Sequence, residues 1–374
     1  MIHEICPSVY SVGVVDSNVR IFHGYQVPFG TTYNSYLLID GENAILVDFV
    51  KVAFAQELLD NIKQILGDKP LTHIICNHVE PDHSGALPAV TAAYPHAEVY
   101  GTKACERELK AYYPHAAYSF HTVTAGDSLN TGTFTFSFIP MPMVHWPDSM
   151  STYVSEIKTL FSNDALGQHI GTGDFKDSDI DAEFLMERAG DYYANIVLPY
   201  GMQVDKLLDA TAGLNIERIC PSHGVILESR ITEMIAAYKK WAAGTTDDQR
   251  GIIIYDTMWG TTAKLAQQIA EKWESEGISA EIINLSDKHY SYALTRLLEA
   301  RFVAVGSPTL NNQMLPSVAA FLTYAKGLRP HNHSGLAFGS YGWSGESVKY
   351  IQAELESMGF DILESYKVQW NIEE

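Results

Sequence analysis

The chain has 374 residues, of which 46% are hydrophobic and 19% are charged, a balance typical of globular proteins with full-sized cores. This length suggests two or three domains. The formal net charge of −20 argues against nucleic acid and against an anionic membrane as partners, because either would repel the chain.

The cysteines and the N-terminus indicate in which cellular compartment the protein is found. The four cysteines are widely spaced, without a C-x-x-C pair: Cys6, Cys76, Cys105 and Cys220. We expect free, buried thiols in a reducing compartment rather than a disulfide scaffold or a thiolate zinc site. The opening Met1-Ile2-His3-Glu4 does not resemble a signal peptide, and no apolar run reaches the length of a membrane span. We therefore expect a cytoplasmic protein.

The first elements have clear periodicities. The apolar runs 36–39 and 44–47 flank a turn and predict a hairpin, and Asp48 follows its second strand. Apolar positions at helical spacing predict a helix over residues 52–66. The apolar run 71–76 then predicts a buried strand that ends in an unusually polar loop.

That loop holds four potential metal ligands within six residues, namely His78, Glu80, Asp82 and His83. In an extended backbone, His78 and Glu80 leave the chain on the same side. Asp82 is predicted to be the N-cap of a helix that starts near Ser84. Two acids and two imidazoles suit a site with more than one cation, because carboxylates offset positive charge and can bridge metals.

Further ligand-type residues follow later strands. The pattern predicts helix, strand and helix over 85–120, a strand over 133–139, a hairpin from 152–154 and 159–161, helices within 181–208, and a strand over 216–220. His145, Asp164 and His223 each come just after one of these strands. Taken singly, each could be an ordinary loop residue, but their repeated position predicts an α/β sandwich with a metal site at one rim.

The polar segment 244–250 separates two patterns, and we predict domains 1–246 and 247–374. After it, strands and helices alternate. Strands are predicted at 252–255, 280–283, 302–305, 336–339 and about 362–369, and helices at 261–275, 316–327 and 345–358. This alternation predicts a doubly wound parallel sheet.

In such a sheet a ligand lies outside the carboxyl ends of the strands. Three loops at these ends carry hydroxyl, amide and aromatic side chains with glycines. The candidate cofactor-binding residues are Thr257, Met258, Trp259, Gly260, Thr261, Thr262, Ser307, Pro308, Thr309, Asn311, Ser340, Tyr341, Gly342, Trp343 and Gly345. The first loop precedes a helix and suits a phosphate, but it lacks the Walker and dinucleotide motifs. The other two suit a flat heteroaromatic ring, so we predict flavin mononucleotide (FMN).

With both halves considered, the chain resembles the flavodiiron proteins over nearly its whole length. The resemblance rests on H-x-E-x-D-H at 78–83, on the spaced His145, Asp164 and His223, and on the T-x-x-G-T-T and S-P-T loops. It implies a metallo-β-lactamase-like αββα sandwich followed by a flavodoxin-like domain. It also implies reduction of O2 to water, of NO to N2O, or of both at a non-haem diiron site, with electrons delivered through FMN.

The resemblance also implies roles for single residues. His78, Glu80 and His145 correspond to the ligands of one iron, Asp82, His83 and His223 to those of the other, and Asp164 to the bridging carboxylate. The histidine at position 83 binds metal in some members and leaves water in its place in others. A carboxylate at Glu80, where zinc hydrolases of this fold have histidine, favours iron over zinc. His23, His169 and Tyr193 are candidates for contacts around the metals.

The resemblance also implies the oligomeric state and the electron donor. The family's head-to-tail homodimer, or a dimer of dimers, would bring the flavin of one subunit near the irons of the other. The sequence carries no rubredoxin-like C-x-x-C module, so we expect an external donor, either a rubredoxin-like carrier or a reduced deazaflavin. Two alternatives remain at this point: a zinc hydrolase fused to a flavodoxin-like module, and a non-catalytic sensor of O2 or NO.

Overall fold

The computed structural model describes residues 2–371. Its strands are His3–Cys6, Val9–Ser11, Val14–Asp16, Ile21–Phe22, Tyr25–Gln26, Thr31–Tyr33, Tyr36–Asp40, Asn43–Val47, His73–Ile75, Glu98–Gly101, Ser119–Thr122, Ser128–Asn130, Thr135–Pro140, Met150–Val154, Thr159–Asn163, Arg218–Pro221, Asp247–Tyr255, Ser279–Asn284, Ala300–Gly306, Ser334–Tyr341, Asp361–Ile362 and Tyr366–Gln369. Its α-helices are Ala55–Leu66, Pro81–Ser84, Leu87–Ala93, Lys103–Tyr112, Ala182–Tyr192, Gly201–Thr211, Ile231–Ala242, Thr261–Ser275, Tyr290–Leu297, Pro316–Leu328 and Ser347–Ser357. Shorter helical turns are Val52–Phe54, Ser155–Ile157, Asp177–Asp179, Tyr193–Val197 and Leu198–Tyr200.

The chain forms two compact units. The first comprises the residues up to Phe22, Val27–Tyr192 and Met202–Lys239. The second comprises His23–Gln26, Tyr193–Gly201 and the residues from Lys240 onward.

Two sheets form the centre of the first unit. One has seven strands, ordered His3–Cys6, Val9–Ser11, Tyr36–Asp40, Asn43–Val47, His73–Ile75, Glu98–Gly101 and Ser119–Thr122. The other has five, ordered Ser128–Asn130, Thr135–Pro140, Met150–Val154, Thr159–Asn163 and Arg218–Pro221. The predicted hairpins at 36–47 and 152–161 are confirmed, because both strand pairs are antiparallel neighbours.

The apolar runs of the seven-stranded sheet are continuous because both faces of the sheet are buried. Leu37, Leu46 and Ile74 pack with the helix residues Leu58 and Leu87. Their chain neighbours Leu38, Ile45 and Ile75 pack instead with Phe136, Phe161 and other residues of the five-stranded sheet. Successive side chains therefore face a helical layer and the second sheet in turn, which confirms the predicted sandwich.

The second unit contains a parallel sheet in the order Ser279–Asn284, Asp247–Tyr255, Ala300–Gly306, Ser334–Tyr341 and Asp361–Ile362, and Tyr366–Gln369 also pairs with Ser334–Tyr341. The strand order 2-1-3-4-5 is that of a flavodoxin-like doubly wound sheet. It places the switch point between the first and third strands, where a ligand crevice forms at their carboxyl ends.

Two local predictions were wrong, and one helix was not predicted. Asp82 is not an N-cap, because the short helix Pro81–Ser84 begins before it and Glu80 takes the cap position. The helix Tyr290–Leu297, whose cap is formed by His289, was not predicted because its start is polar and aromatic. The expected last strand is two strands, Asp361–Ile362 and Tyr366–Gln369, that pair with the same neighbour.

Among residues 2–371, the longest apolar helices fall short of what a membrane crossing requires.

Candidate metal centre and flavin site

The strand directions explain why distant ligand-type residues meet. Thr135–Pro140 and Thr159–Asn163 are both antiparallel to Met150–Val154, so they run in the same direction. Arg218–Pro221 is parallel to Thr159–Asn163. Because the three strands share one direction, the loops that follow them lie at the same end of the sheet. Those loops carry His145, Asp164 and His223.

The first ligand group consists of His78, Glu80 and His145, together with one oxygen of Asp164. The Oε2 atom of Glu80 lies 3.4 Å from Nε2 of His78 and 3.1 Å from Nε2 of His145. The Oδ2 atom of Asp164 lies 3.5 Å and 3.3 Å from the same two nitrogens. Four potential ligand atoms thus surround one point, and His78 and Glu80 share a side as predicted.

The second ligand group consists of Asp82, His83 and His223. The Oδ2 atom of Asp82 lies 3.4 Å from Nε2 of His83 and 3.2 Å from Nε2 of His223. Here the other oxygen of Asp164, Oδ1, lies 2.9 Å from His83 and 3.6 Å from His223. Each carboxylate oxygen of Asp164 therefore faces a different group, which is the geometry of a bridging carboxylate.

Several of these buried atoms lack hydrogen bonds within the described chain. They are Nε2 of His78, Nε2 of His83, both oxygens of Asp82 and both oxygens of Asp164. Buried polar atoms are almost always satisfied, so unsatisfied atoms that converge require another partner. Imidazole nitrogens and carboxylate oxygens at these separations suit cations. The donor set therefore fits two metal ions joined by one carboxylate.

Charges of opposite sign are paired in this cluster. Burial alone lowers the pKa of His78, but Asp148, Glu80 and Asp164 outweigh burial and raise that pKa well above 6.5. Burial also lowers the pKa of His83, but the negative charges of Asp82 and Asp164 outweigh burial and raise that pKa to about 9. Burial raises the pKa of Asp164, yet the neighbouring histidines hold it well below 3.8. A cation that binds His78 or His83 would therefore displace a proton from that imidazole.

Two buried carboxylates support the ligands, and neither was predicted as a site residue. Asp148 accepts hydrogen bonds from Nδ1 of His78 at 3.0 Å and from the backbone N–H of Val79 at 2.7 Å. Asp48 accepts hydrogen bonds from Asn77 and Asn163, the residues before His78 and Asp164. The strand-end position of Asp48 is visible in the sequence, but its partners are not.

The three residues predicted to lie around the metals fall in different places. The ring of His169 lies 4.5 Å from the ring of His223, and its Nδ1 lies 2.6 Å from the hydroxyl of Thr31. His23 and Tyr193 belong to the second unit and to neither ligand group. His23 is an exposed turn residue, while Tyr193 is buried with its ring 5.2 Å from that of Trp241.

The second unit contains a cavity of about 450 Å³ at the carboxyl ends of its strands. It is lined by Met258, Trp259, Thr261, Pro308, Thr309, Asn311, Asn312, Ser340, Tyr341, Gly342, Trp343, Ser344 and Trp370. Trp259 and Trp343 are 92% and 84% exposed, and Trp370 is 65% exposed. Exposed tryptophans around a cavity suit the faces of a flat ring. Trp370, Asn312 and Ser344 were not predicted.

The loop before the helix Thr261–Ser275 suits a phosphate. Gly260 adopts a φ of 86° at the N-cap position and has no side chain with which to cap the helix. The hydroxyl of Thr257 accepts a hydrogen bond from the backbone N–H of Gly260 at 3.1 Å. The free N–H groups and the helix dipole attract an anion without a basic side chain. The cavity and this loop together fit FMN.

Two of the predicted cofactor-binding hydroxyls have partners of their own. The Oγ1 atom of Thr262 lies 2.9 Å from Oγ of Ser340. The Oγ atom of Ser307 accepts a hydrogen bond from the N–H of Leu315 and donates one to the carbonyl of Pro308, both at 2.8 Å. These hydrogen bonds hold the loops in shape, and neither Thr262 nor Ser307 is among the residues that line the cavity. Thr257, Gly260 and Gly345 are likewise outside the lining of this cavity, and they stay predictions as cofactor-binding residues.

Known proteins match both halves of the chain. The sequence family described as ODP family beta lactamase matches residues 31–224, and the Flavodoxin family matches residues 253–373. A nitric oxide reductase of Moorella thermoacetica is 40% identical, over 98% of this chain and 93% of that protein. A solved rubredoxin oxygen:oxidoreductase from Desulfovibrio gigas is 37% identical with a TM-score of 0.96, over 100% of this chain and 94% of that one.

The flavodiiron protein from Giardia intestinalis is also similar. Its solved structure has a TM-score of 0.96 and 34% identity, over 100% of this chain and 92% of that one. These identities extend over both units and over nearly the full length of each relative. The chain therefore belongs to the flavodiiron protein family, which combines a flavin with a diiron centre.

Proposed function

We propose that the chain is an oxidoreductase that reduces O2 to two waters with four electrons and four protons, or couples two NO to N2O and water with two electrons and two protons, or does both. The observation that supports this most strongly is the position of Asp164, whose two oxygens face two separate ligand groups. A pair of metals held this way offers a diatomic molecule two adjacent binding points.

We assign one iron to His78, Glu80 and His145, the other to Asp82, His83 and His223, and the bridge to Asp164. The distances within each group and the unsatisfied buried atoms support the assignment. Iron held by these residues would supply coordination sites for the gas and part of the electrons. Three carboxylates among the seven ligands offset three of the four charges of two ferrous ions, and this anionic, oxygen-rich set favours iron over zinc.

The surrounding residues control access to the site. His145 is the most exposed of the seven ligand side chains at 12%, while those of His78 and His83 are fully buried. The gas therefore has its approach on the His145 side. The other ligands lie against buried protein, which keeps bulk water away from the reacting atoms.

FMN belongs to the cavity of the second unit. We assign its phosphate to the N-terminus of the helix Thr261–Ser275, where the N-cap Gly260 brings the backbone N–H groups close. We assign its ring system to the exposed tryptophans Trp259, Trp343 and Trp370. We assign the remaining predicted loop residues to two roles: some place hydroxyl and amide groups around the flavin ring system, and others hold the loops in shape.

The assembly and the electron donor are part of the same proposal. We propose a head-to-tail homodimer or a dimer of dimers, in which a second subunit covers the exposed tryptophans. A rubredoxin-like carrier or a reduced deazaflavin would reduce the flavin, and one relative is named a rubredoxin oxygen:oxidoreductase. Four free cysteines, three of them buried, support a reducing, cytoplasmic location. We take residues 1–246 as the diiron domain and 247–374 as the FMN domain.

Metal analysis and gas turnover test the proposal together. Purified protein should contain about two irons and one FMN per chain, and the anaerobically reduced protein should consume O2 or NO over repeated turnovers. Stopped-flow with each gas then shows which substrate is preferred. Two zincs with hydrolytic activity would contradict a reductase, and stoichiometric gas binding without sustained consumption would indicate a sensor.

A further inference from the structure

Asp148 is hydrogen-bonded to His78, on the side of the ring opposite the Nε2 atom that faces the first ligand group. Its side chain is completely buried, and its two oxygens lie 3.2 Å and 3.0 Å from Nδ1 of His78. The N–H of Val79 donates to the same carboxylate at 2.7 Å, and the hydroxyl of Thr102 donates to the backbone carbonyl of Asp148 at 3.0 Å. One carboxylate therefore holds both the ring of His78 and the backbone that follows it.

Among residues 2–371, the charge of Asp148 has a single ionic partner, His78. Among the ion pairs of the described residues, Asp148 pairs with His78 and with no lysine or arginine. A buried carboxylate is costly unless a positive charge lies near it. A cation on Nε2 of His78 would supply that charge through the ring, and the carboxylate in return makes the imidazole a stronger donor. Asp148 and a metal on His78 therefore stabilise each other.

Within residues 2–371, no carboxylate is hydrogen-bonded to Nδ1 of either histidine of the second ligand group. The Nδ1 atom of His223 lies 2.7 Å from the backbone carbonyl of Thr32, a neutral acceptor. The Nδ1 atom of His83 is buried and has no hydrogen-bond partner within residues 2–371. A neutral acceptor polarises the ring less than a carboxylate does, and an unsatisfied N–H does not orient it. The two groups share Asp164 but differ in the support behind their histidines.

We infer that Asp148 gives the first ligand group the higher metal affinity, so that the two cations enter in a fixed order, His78–Glu80–His145 before Asp82–His83–His223. Asp148 is thus a positioning residue that acts through His78. The inference rests on the ligand assignment of the proposed function and adds an order to it. The two metal positions are unequal even though each group has two histidines and one carboxylate of its own, besides the shared Asp164.

Anaerobic titration of the metal-stripped, FMN-containing protein with Co²⁺ tests the order, because Co²⁺ absorbance reports coordination directly. The unmodified chain should bind two Co²⁺ in two resolved steps. His223→Ala should keep the first, higher-affinity step and lose the second. His145→Ala should lose the higher-affinity step. Flavin content, measured in parallel, shows whether each variant is folded.

Asp148→Asn tests the positioning residue itself. We expect the affinity of the first step to fall about 10- to 100-fold, with the second step unchanged, so that the two steps merge. Asp40→Asn is the matched control: Asp40 is also a buried carboxylate with three hydrogen-bond donors, from Thr131, Thr133 and Phe134. It should leave both steps in place.

The outcomes separate this inference from the proposed function. A chain that binds no Co²⁺ at all would overturn both. Two bound Co²⁺ with the higher-affinity step lost in His223→Ala would overturn only the order. Equal weakening of both steps in Asp148→Asn, or no weakening, would show that Asp148 does not set the difference.

Discussion

Asp48 accepts a hydrogen bond at 3.3 Å from the side-chain amide of Asn163, the residue directly before Asp164. The same carboxylate accepts two more from Asn77, the residue directly before His78, at 2.7 Å from its backbone N–H and 3.1 Å from its side chain. Asn77 follows a strand of the seven-stranded sheet and Asn163 ends one of the five-stranded sheet. Asp48 thus joins the two sheets behind the metal cluster.

We predict that Asp48→Asn weakens the fold and both metal positions. The carboxylate only accepts hydrogen bonds, whereas an asparagine would direct its NH2 group at the amide donors of Asn77 or Asn163. Each buried donor left unsatisfied costs about 1–3 kcal/mol. Denaturant unfolding should show a loss of this size, and metal analysis should show fewer than two irons per chain. Unchanged iron content would contradict a link between Asp48 and the ligands.

The ligand cluster was predictable because strand ends are visible in a sequence. His78, His145, Asp164 and His223 follow apolar runs, and the strand directions bring those ends together. The supporting carboxylates were not predictable as such. Asp148 contacts His78 from 70 positions away, and Asp48 contacts Asn163 from 115 positions away. Periodicity reports which face of an element is buried and carries no information on which polar side chains meet.

At the flavin site, too, some features could be predicted from the sequence and others could not. Loops after three strands of the second unit were predictable from βα alternation, and the structure places their residues around one cavity. Trp370 was missed because it follows Tyr366–Gln369, which the sequence merges with the preceding short strand. Thr262 and Ser307 have hydroxyls of the right type, but their hydrogen bonds are to the protein itself.

We predict that Trp343→Ala weakens FMN binding and leaves the irons in place. Trp343 is 84% exposed at the cavity, so its loss removes a stacking face without opening a core. Loss of an aromatic stacking contact is worth about 0.5–1.5 kcal/mol, so we expect FMN affinity to fall by up to about tenfold. Equilibrium dialysis gives the FMN affinity, and metal analysis gives the iron content.

Tyr112→Ala is the control for that change, because Tyr112 is an exposed aromatic residue of the first unit, at 47%. It should change neither quantity. If Trp343→Ala lost iron together with FMN, the two sites would not be independent.

We predict that Glu80→His lowers iron occupancy in favour of zinc. The substitution replaces an anionic oxygen ligand with a neutral nitrogen between His78 and His145. A more positive and softer site suits zinc better. Metal analysis of protein grown with both metals should show a lower iron-to-zinc ratio and lower turnover with O2 and NO. Glu42→His, at an exposed turn, should leave the ratio unchanged. Undiminished turnover in Glu80→His would contradict the argument from ligand type.

We predict that the second unit loses stability in acid because of His333. This side chain is 3% exposed, and its Nδ1 donates to the carbonyl of Ala300 at 2.7 Å. Burial, opposed by that hydrogen bond, lowers the pKa of His333 from 6.5 to about 4. Between these values the unfolded chain binds a proton that the folded chain does not, so stability is complete above about pH 6.5 and falls as the pH drops toward 4.

The size of the effect follows from the shift in pKa. At about 1.4 kcal/mol per pKa unit, the loss attributable to His333 is on the order of 3 kcal/mol at most. Hydrogen–deuterium exchange of the strand Ala300–Gly306 measures the stability locally. His333→Gln cannot titrate, so its exchange protection should depend less steeply on pH between 6.5 and 4 than that of the unmodified chain. Equal pH dependence of the exchange protection in the two proteins would contradict this prediction. It would mean that His333 is protonated in the folded chain between pH 6.5 and 4, and acid destabilises the fold through His333 only if folding keeps this histidine neutral.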